Sequence, residues 1–492
     1  MFQNSNLKRF KITPEIFFVL ALIIICLIFS TYKLTESPGV WADEGVFLQT
    51  ARNLISFGQQ GLQVEPGKIT SSEYLTAGYP FIYPISLVFK IFGEGVLEAR
   101  LVMVLFILFF IFTAHYLIKR MFGFSLAAQA SLVLVSFPVL YGNGKSAIGE
   151  VPGLLYLIVF LFFFFKIEQS AYKKKLYYIL AGLFLGLAVI TKPIFLIILP
   201  AVLIAILFLR KRTRFYPKLI LTSLASFLIP IIIWPATQFK KGDSVINILS
   251  FYANPHGLGD LSGTVLGNLN RFITELSPLY FLLLLLLWAF SVIIRIREKR
   301  PVFVAEISAF TFSVMILPAY LTTMGFYRYF FPALALALLF FPSSLCIFLN
   351  YLNGKLKRLK SSTVTAISFL LVLSMIIINL YQLGFSSYVA GYYQSARTAA
   401  LESYFENFDP AKTIFFYKVP EAVIFLPNHN YFQYARLTPI VFAGQDQLEK
   451  IAQGIPDEIM FNNNDLKEIE DKISLYKFKQ NIDRYIVIEK IR

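Results

Sequence analysis

The side chains of this sequence that could do chemistry begin with an adjacent acidic pair. Asp43 and Glu44 occur in "GVWADEGVFLQTARNLISFG", directly after the first apolar run. A carboxylate there can accept the proton of a hydroxyl group as a general base. Two neighbouring carboxylates can also hold a loosely bound divalent cation such as Mg²⁺ or Mn²⁺. The alternatives are structural: Asp43 can cap a following helix, and Glu44 can orient Asp43.

Three basic residues are candidates for binding a phosphate group. Arg328 lies between Tyr327 and Tyr329, and its planar guanidinium can donate two parallel hydrogen bonds to a phosphate. The two tyrosines are candidates for the same site, although Tyr and Arg are also ordinary at a membrane interface. Lys192 lies in a short turn, where it can bind phosphate or simply extend to the membrane surface. Arg52 follows the acidic pair by two helical turns and can face phosphate or lipid headgroups.

Glu150 and His256 complete the set of candidates. Glu150 opens an apolar segment, either as a second acidic group of a site or as a charge favoured at a helix N-terminus. His256 lies in "NPHGLG", and a lone histidine in a glycine-rich loop is more often structural. His, Cys and carboxylates do not occur at metal-ligand spacing, so a tightly bound metal is not predicted. The glycine-rich motifs that cradle nucleotides are also missing from the sequence, so a nucleotide ligand is not expected.

Long apolar runs must position these residues. Of the 492 residues, 57% are hydrophobic and 15% are charged, whereas a soluble chain carries roughly 25% charged residues. Runs of about 20 apolar residues recur, and that length crosses a bilayer core of about 30 Å. The sequence therefore predicts an all-α polytopic membrane protein with about eleven transmembrane helices. The predicted spans are 15–32, 99–118, 124–141, 149–165, 176–191, 193–209, 216–236, 278–294, 302–321, 329–350 and 362–383.

The basic residues of the short connections predict the orientation. Alternate connections carry clusters of Lys and Arg, whereas the connections between them carry few, such as Lys145, Lys192 and Arg328. Basic loops face the cytoplasm, so the N-terminus is predicted to be cytoplasmic and the C-terminus extracytoplasmic, in the plasma membrane. The formal charge of +16 is explained by these loops. Nucleic acid is therefore not an expected partner.

Three long segments fall on the predicted outer side: a large first loop over 33–98, a second loop over 237–277, and a tail over 384–492. We expect two domains, a transmembrane domain over 1–383 and an extracytoplasmic domain over 384–492. Patches such as "TIFFYK" and "RYIVIE" predict a small α/β fold for the tail. The isolated polar residues collect at the outer helix ends, and Glu306 is the clear exception within a helix. That distribution is unlike the deep ionisable residues of ion-coupled carriers.

Six short motifs occur in an order that resembles the GT-C glycosyltransferases, in the branch of protein mannosyltransferases and aminoarabinose transferases. They are "WADEG", "GYPFIYPISLVFKIFG", "EARL", "GEVPGLLYL", "ITKP" and "YRYFFPALA", and they cover roughly residues 1–350. The resemblance implies an inverting transfer of a sugar from a polyprenyl-phosphate donor to an acceptor hydroxyl outside the cytoplasm. It also implies that an acidic residue at Asp43 or Glu44 lies near that hydroxyl.

On this interpretation Asp43 is the expected general base, and Arg328 and Lys192 are expected to bind the donor phosphate. The acceptor stays open among a lipid, a glycan and a protein. Two alternatives remain: a flippase for lipids or glycans, which needs polar groups along a path through the bundle, and a non-catalytic membrane scaffold. No cofactor is firmly predicted beyond the loosely held Mg²⁺ or Mn²⁺ considered for Asp43 and Glu44.

Overall fold

A computed structural model describes residues 13–72, 74–211, 216–239, 251, 257, 259–356 and 360–491. Fifteen helices are described before residue 382. They are α1 (Pro14–Thr31), α2 (Ala42–Phe57), α3 (Tyr79–Phe92), α4 (Val96–Phe122), α5 (Phe124–Ser136), α6 (Pro138–Gly144), α7 (Glu150–Gln169), α8 (Lys175–Thr191), α9 (Ile198–Phe208), α10 (Pro217–Gln238), α11 (Leu261–Thr274), α12 (Leu276–Arg297), α13 (Val304–Leu321), α14 (Phe331–Leu356) and α15 (Ser361–Tyr381).

The predicted multi-pass helical bundle is confirmed, but the count of eleven spans is not. Within the described ranges, eight helices are long and apolar enough to cross a membrane, namely α1, α4, α7, α10, α12, α13, α14 and α15. A ninth span results if α5 and α6 are joined across their 59° bend. Helix α8 has 17 residues, which is about 25 Å of helix and short of a bilayer core of about 30 Å. Pro193 ends that segment, so the next apolar segment, 193–208, is also short.

Helix α2 lies between the bundle and the C-terminal part of the chain. Its first turn carries Asp43 and Glu44, whose negative charges are favoured by the helix dipole. Its C-cap is Gly58, which adopts the left-handed conformation with a φ of 69°. On one side α2 packs against α3. On the other side a Cβ on Gly45 would lie 2.3 Å from the Cα of Glu421, so only glycine allows this backbone approach.

The predicted C-terminal sheet domain is confirmed. Residues 414–490 contain β3 (Ile414–Tyr417), β4 (Tyr431–Arg436), β5 (Phe442–Ala443), β6 (Glu458–Asn462), β7 (Tyr476–Ile482) and β8 (Tyr485–Lys490). A short hairpin of β1 (Gln63–Glu65) and β2 (Lys68–Ile69) lies earlier in the chain. The six strands are ordered β5-β4-β3-β6-β8-β7. Strand β3 is parallel to β4 and β6, and the remaining pairs are antiparallel.

Helices cover both faces of this sheet. Helix α16 (Arg397–Glu406) packs on one face through Leu401 and Phe405. Helices α17 (Leu448–Ala452) and α18 (Leu466–Ile469) pack on the other face through Ile451 and Ile469. The sheet therefore has an apolar core on each side, as an α/β domain requires.

Candidate active site

Asp43 and Arg328 lie together, although 285 residues separate them. An Nη1 atom of Arg328 donates a hydrogen bond of 2.5 Å to Oδ2 of Asp43. The side chains remain 30% and 21% exposed, so the pair is open to solvent on one side. Asp43 does not cap α2, because the N-cap is Trp41 and no side chain caps this end. The carboxylate is therefore committed to Arg328 and solvent rather than to the helix backbone.

Aromatic rings surround the guanidinium of Arg328. Its Cζ lies 4.9 Å from the ring centre of Trp41 and 5.5 Å from those of Phe326 and Tyr329. Such rings attract the cation through their quadrupoles and hold it in place. Among the residues that the structure describes, Nε of Arg328 is buried and has no hydrogen-bond partner. The guanidinium therefore has an unused donor beside the one that it gives to Asp43.

A second pair of opposite charges stands beside the first. Lys192 and Glu150 are buried, and their Nζ and Oε1 atoms are 3.4 Å apart. Nζ of Lys192 also lies 5.1 Å from the ring centre of Phe47, one helical turn from Asp43 on the same face of α2. Gly149 allows this position: its φ is +87°, and a Cβ there would lie 3.1 Å from Cε of Lys192.

Electrostatics joins the two pairs. Desolvation lowers the pKa of Arg328, but the carboxylates of Asp43 and Glu150 outweigh that effect and raise it above its ordinary value. Oε2 of Glu150 is buried without a hydrogen-bond partner in the described part of the chain. The cluster thus holds two acids and two bases, and it retains one free donor and one free acceptor.

Glu44, the neighbour of Asp43, faces another side of α2 and is fully buried. Nε and Nη2 of Arg100 donate to its two carboxylate oxygens at 2.9 and 2.6 Å. The backbone N–H of Ala147 donates to Oε1 at 3.0 Å. Nη1 of Arg100 donates to the carbonyls of Leu34 and Pro38, which precede α2. Glu44 therefore fixes the start of α2, in keeping with the alternative that it orients Asp43.

The remaining candidates have separate places. Arg52 is about 13 Å from Asp43 along the axis of α2; it is buried, pairs with Glu94 at 2.8 Å and donates to carbonyls of the sheet domain. The structure thus does not bring Arg52 to the cluster of Asp43, Arg328, Glu150 and Lys192. Tyr327 lies under Arg271, 4.7 Å from its Cζ, while Tyr329 belongs to the cluster. His256 lies outside the described residues.

The acidic pair does not fit the divalent cation considered for it. Both oxygens of Glu44 accept from Arg100, and Asp43 pairs with Arg328 on another side of the helix. Nor does the described part of the chain hold any group of three or more His, Cys, Asp and Glu residues arranged to bind a metal.

The fold of this chain occurs in membrane enzymes of known structure. ArnT from Cupriavidus metallidurans superposes with a TM-score of 0.64 at 15% identity, covering 96% of this chain and 98% of ArnT. The chain has the GT-C fold. A further ArnT structure of similar score contains undecaprenyl phosphate. The oligosaccharyltransferase of Archaeoglobus fulgidus superposes with a TM-score of 0.56 at 12% identity, covering 95% of this chain and 72% of the enzyme.

A sequence family also matches part of the GT-C bundle. Residues 80–234 match the family described as Dolichyl-phosphate-mannose-protein mannosyltransferase. That range includes Glu150 and Lys192 but neither Asp43 nor Arg328. A search of curated proteins returned no match. The family match and the fold confirm the resemblance to GT-C glycosyltransferases and support a membrane enzyme of that class.

Three residues that contact the candidate site residues were not predicted from the sequence. Trp41 and Phe47 flank the acidic pair in the same motif, but an apolar ring gives no signal of stacking on a cation from a distant helix. Arg100 lies in "EARL", at the start of a predicted span. A charge at that depth is costly unless it is paired, and this cost was the available signal for a buried partner of Glu44.

Proposed function

We propose that this protein is a membrane glycosyltransferase that moves one sugar from a polyprenyl-phosphate donor to an acceptor hydroxyl. The observation that carries the proposal is the contact between Asp43 and Arg328, at the ends of two distant elements and open to solvent on one side. A general base that acts on the acceptor and a cation that acts on the leaving group must belong to one site, and this contact brings Asp43 and Arg328 into one site. ArnT, with the same fold, has been crystallised with undecaprenyl phosphate.

The charges of the cluster suit this transfer. The donor is a phosphodiester with one negative charge, and the product, polyprenyl phosphate, gains a second as the bond from the anomeric carbon to oxygen breaks. Arg328 and Lys192 stabilise that developing charge, and such stabilisation accelerates the reaction because it is stronger in the transition state. The Nε atom of Arg328, which is buried and unpaired among the described residues, is a further donor that this guanidinium can give to a phosphate oxygen.

Asp43 acts on the acceptor. Its carboxylate takes the hydroxyl proton as the acceptor oxygen forms its bond to the anomeric carbon, opposite the departing phosphate. Attack from the opposite face inverts the configuration of the sugar. While Arg328 is shared with a bound phosphate, Asp43 loses part of its counter-charge and becomes the stronger base. Binding of the donor thus prepares the carboxylate for the acceptor.

The site lies at the end of the bundle that contacts the sheet domain, because α2 touches both. With the orientation predicted from the basic loops, this end faces the exterior, where a polyprenyl chain in the membrane presents its phosphate. A flippase would need charged groups along a path through the bundle. Among the described residues, the buried ion pair of Arg295 and Glu306 is confined to the end of α12 and the start of α13.

The deciding experiment compares Asp43→Asn with Arg328→Gln in purified full-length protein supplied with polyprenyl-phosphate-linked sugars. We expect Asp43→Asn to lose transfer by about 10²-fold to 10⁴-fold, the contribution of a general base, while donor still binds. Arg328→Gln should lose donor binding as well. Asp446→Asn is the matched control, because Asp446 is an exposed carboxylate paired with Lys68 far along the chain from the cluster.

Near-normal transfer by Asp43→Asn would refute the role of Asp43. Movement of intact donor across a vesicle membrane, without formation of polyprenyl phosphate, would favour the flippase instead. A scaffold would show neither activity.

A further inference from the structure

The sheet domain contains an open polar cleft that the proposed chemistry does not use. The cleft has a volume of about 550 Å³ and lies where β6 ends beside the turn between β7 and β8. Four asparagines line it, together with Phe478 and Arg484; the asparagines are Asn462, Asn463, Asn464 and Asn481. Its volume falls in the range of about 300–1,000 Å³ found for small-molecule sites.

The asparagine side chains of the lining are free to bind a ligand. Within the residues that the structure describes, none of the four asparagine side chains makes a hydrogen bond, and Nε of Arg484 is buried without a partner. Each amide offers two donors and one acceptor oxygen. The ring of Phe478 is 62% exposed, so an apolar face stands beside these amides. Alternating donors and acceptors with one aromatic face match the hydroxyls and the C–H face of a sugar ring.

A peptide strand is a poorer fit to this place. Strand β7 is an edge of the sheet and would be the natural template for an added strand. Its register is shifted between Phe478 and Gln480, and Lys477 and Lys479 stand on it. Bulges and lysines on an edge are devices that discourage strand pairing. A saccharide is therefore the occupant that this surface favours.

Two ion pairs connect the cleft to the cluster around Asp43. Arg484, in the cleft wall, pairs with the buried Glu421 at 2.5 Å, and the backbone of Glu421 lies against Gly45 of α2. This connection reaches α2 two residues beyond Asp43.

The second connection reaches α2 from the other side. Asp483, also in the cleft wall, pairs with Arg397. The guanidinium of Arg397 lies 5.8 Å from the ring centre of Tyr392, and that ring packs against Gly39, just before α2. Tyr388 packs edge-on against Tyr392 with ring centres 5.1 Å apart and is 58% exposed. This pair of rings thus lies beside the start of α2.

We propose that the cleft is a binding subsite for a saccharide acceptor, which holds a sugar unit remote from the hydroxyl that receives the transferred sugar. This inference rests on the proposed transferase function, and it narrows the acceptor from a lipid, a glycan or a protein to a molecule that carries a glycan. The cleft positions the acceptor, and Asp43 acts on it.

The test uses the detergent-solubilised full-length protein and a defined probe. The probe is envelope polysaccharide from the producing cells, freed of protein and lipid, hydrolysed to oligosaccharides and labelled at the reducing ends. The wild type should retain labelled oligosaccharides, and Asn463→Ala/Asn481→Ala should retain at least tenfold less because several hydrogen bonds are lost. Phe478→Ala should show a similar loss. Gln453→Ala, on the exposed end of α17, is the control and should retain the probe like the wild type.

Two readouts separate this inference from the proposed function. Asp43→Asn should retain the oligosaccharides while failing in transfer, and the cleft variants should still bind donor and release polyprenyl phosphate slowly to water. Absence of retention by the wild type, or equal retention by the cleft variants, would overturn the saccharide subsite. A second sample is an extract that has not been freed of protein. If the wild type retains protease-sensitive material from it and does not retain the labelled oligosaccharides, the saccharide subsite is refuted in favour of a peptide site. If no sample turns over the donor, the proposed transferase function is refuted. The retention assay still decides whether the cleft binds a saccharide.

Discussion

Asp43 and Glu44 are adjacent acidic residues for which the structure predicts opposite behaviour on mutation. Glu44 and its partner Arg100 are both 0% exposed, and breaking a buried pair of this kind costs about 3–5 kcal/mol because the remaining charge is left uncompensated. Asp43 and Arg328 are 30% and 21% exposed, and a solvent-accessible pair contributes about 0–1 kcal/mol. The isosteric changes Glu44→Gln and Asp43→Asn therefore test two successive positions. The first is expected to lower stability, and the second is expected to lower the rate of transfer.

We expect Glu44→Gln to lower the thermal unfolding midpoint strongly, whereas Asp43→Asn leaves it close to that of the wild type. Transfer should show the reverse order. The folded fraction of Glu44→Gln should keep turnover within about tenfold of the wild type, while Asp43→Asn loses about 10²-fold to 10⁴-fold. Tryptophan fluorescence of solubilised protein on heating measures the first property, and formation of polyprenyl phosphate measures the second.

If the two variants are equally unstable, the prediction is wrong, because Asp43 would then stabilise the fold as much as Glu44 does. The prediction is also wrong if Glu44→Gln stays folded and stable but loses transfer as fully as Asp43→Asn does. In that case Glu44, and not only Asp43, would act on the substrate. Arg100→Lys provides a second perturbation of the buried pair, since lysine cannot reproduce the two parallel hydrogen bonds.

Three further predictions concern the surroundings of the cluster. Gly45→Ala should destabilise the protein by about 1–3 kcal/mol, measured by thermal unfolding, because its Cβ would overlap the backbone of Glu421. Arg328→Lys should weaken binding of polyprenyl phosphate by about tenfold or more in a direct binding assay, because lysine lacks the planar fork. Burial, and then Arg52, lower the pKa of His429 to about 4 from 6.5. The unfolded chain therefore binds a proton in this window and the folded one does not, so stability is complete above pH 6.5 and falls by about 1 kcal/mol, after allowance for solvent screening, as the pH drops towards 4.

Each of these has a contradicting result. If Gly45→Ala is as stable as the wild type, α2 does not pack tightly against the sheet domain. Unchanged affinity of Arg328→Lys would mean that the phosphate is not held by a fork. For the pH dependence, the control is His429→Asn: if its stability falls between pH 6.5 and 4 as steeply as that of the wild type, another group is responsible.

Much of the membrane part could be predicted from the sequence because apolar runs and basic loops act locally. Each of the eleven predicted segments is largely helical, since a run of Leu, Ile and Phe in a membrane has no other way to satisfy its backbone. The number of crossings was harder to predict because hydropathy does not record a bend. Residues 124–141 read as one span, yet the chain breaks at Phe137 before Pro138. The two segments joined at Pro193 are each shorter than the roughly 20 residues that a helix needs to cross a bilayer.

The site could be predicted in part. Residue type and position pointed to Asp43, Arg328, Lys192 and Glu150, and the structure places these four together. The different surroundings of Glu44 could not be foreseen, because adjacent residues on a helix point about 100° apart and the partner, Arg100, lies on another helix. The cleft between β6 and the β7–β8 turn depends on sheet order, which the sequence alone does not specify.

Because α2 packs against the C-terminal tail, experiments that remove or exchange the tail also disturb α2. Ten of its residues are buried, and Gln49 exchanges hydrogen bonds with Gln433 of β4. Truncation near residue 383 would strip one wall from the helix that begins with Asp43, so loss of activity in such a fragment would not distinguish a scaffold from an enzyme. A chimera that receives a relative's tail would need the relative's first loop as well, because these two segments are packed against each other.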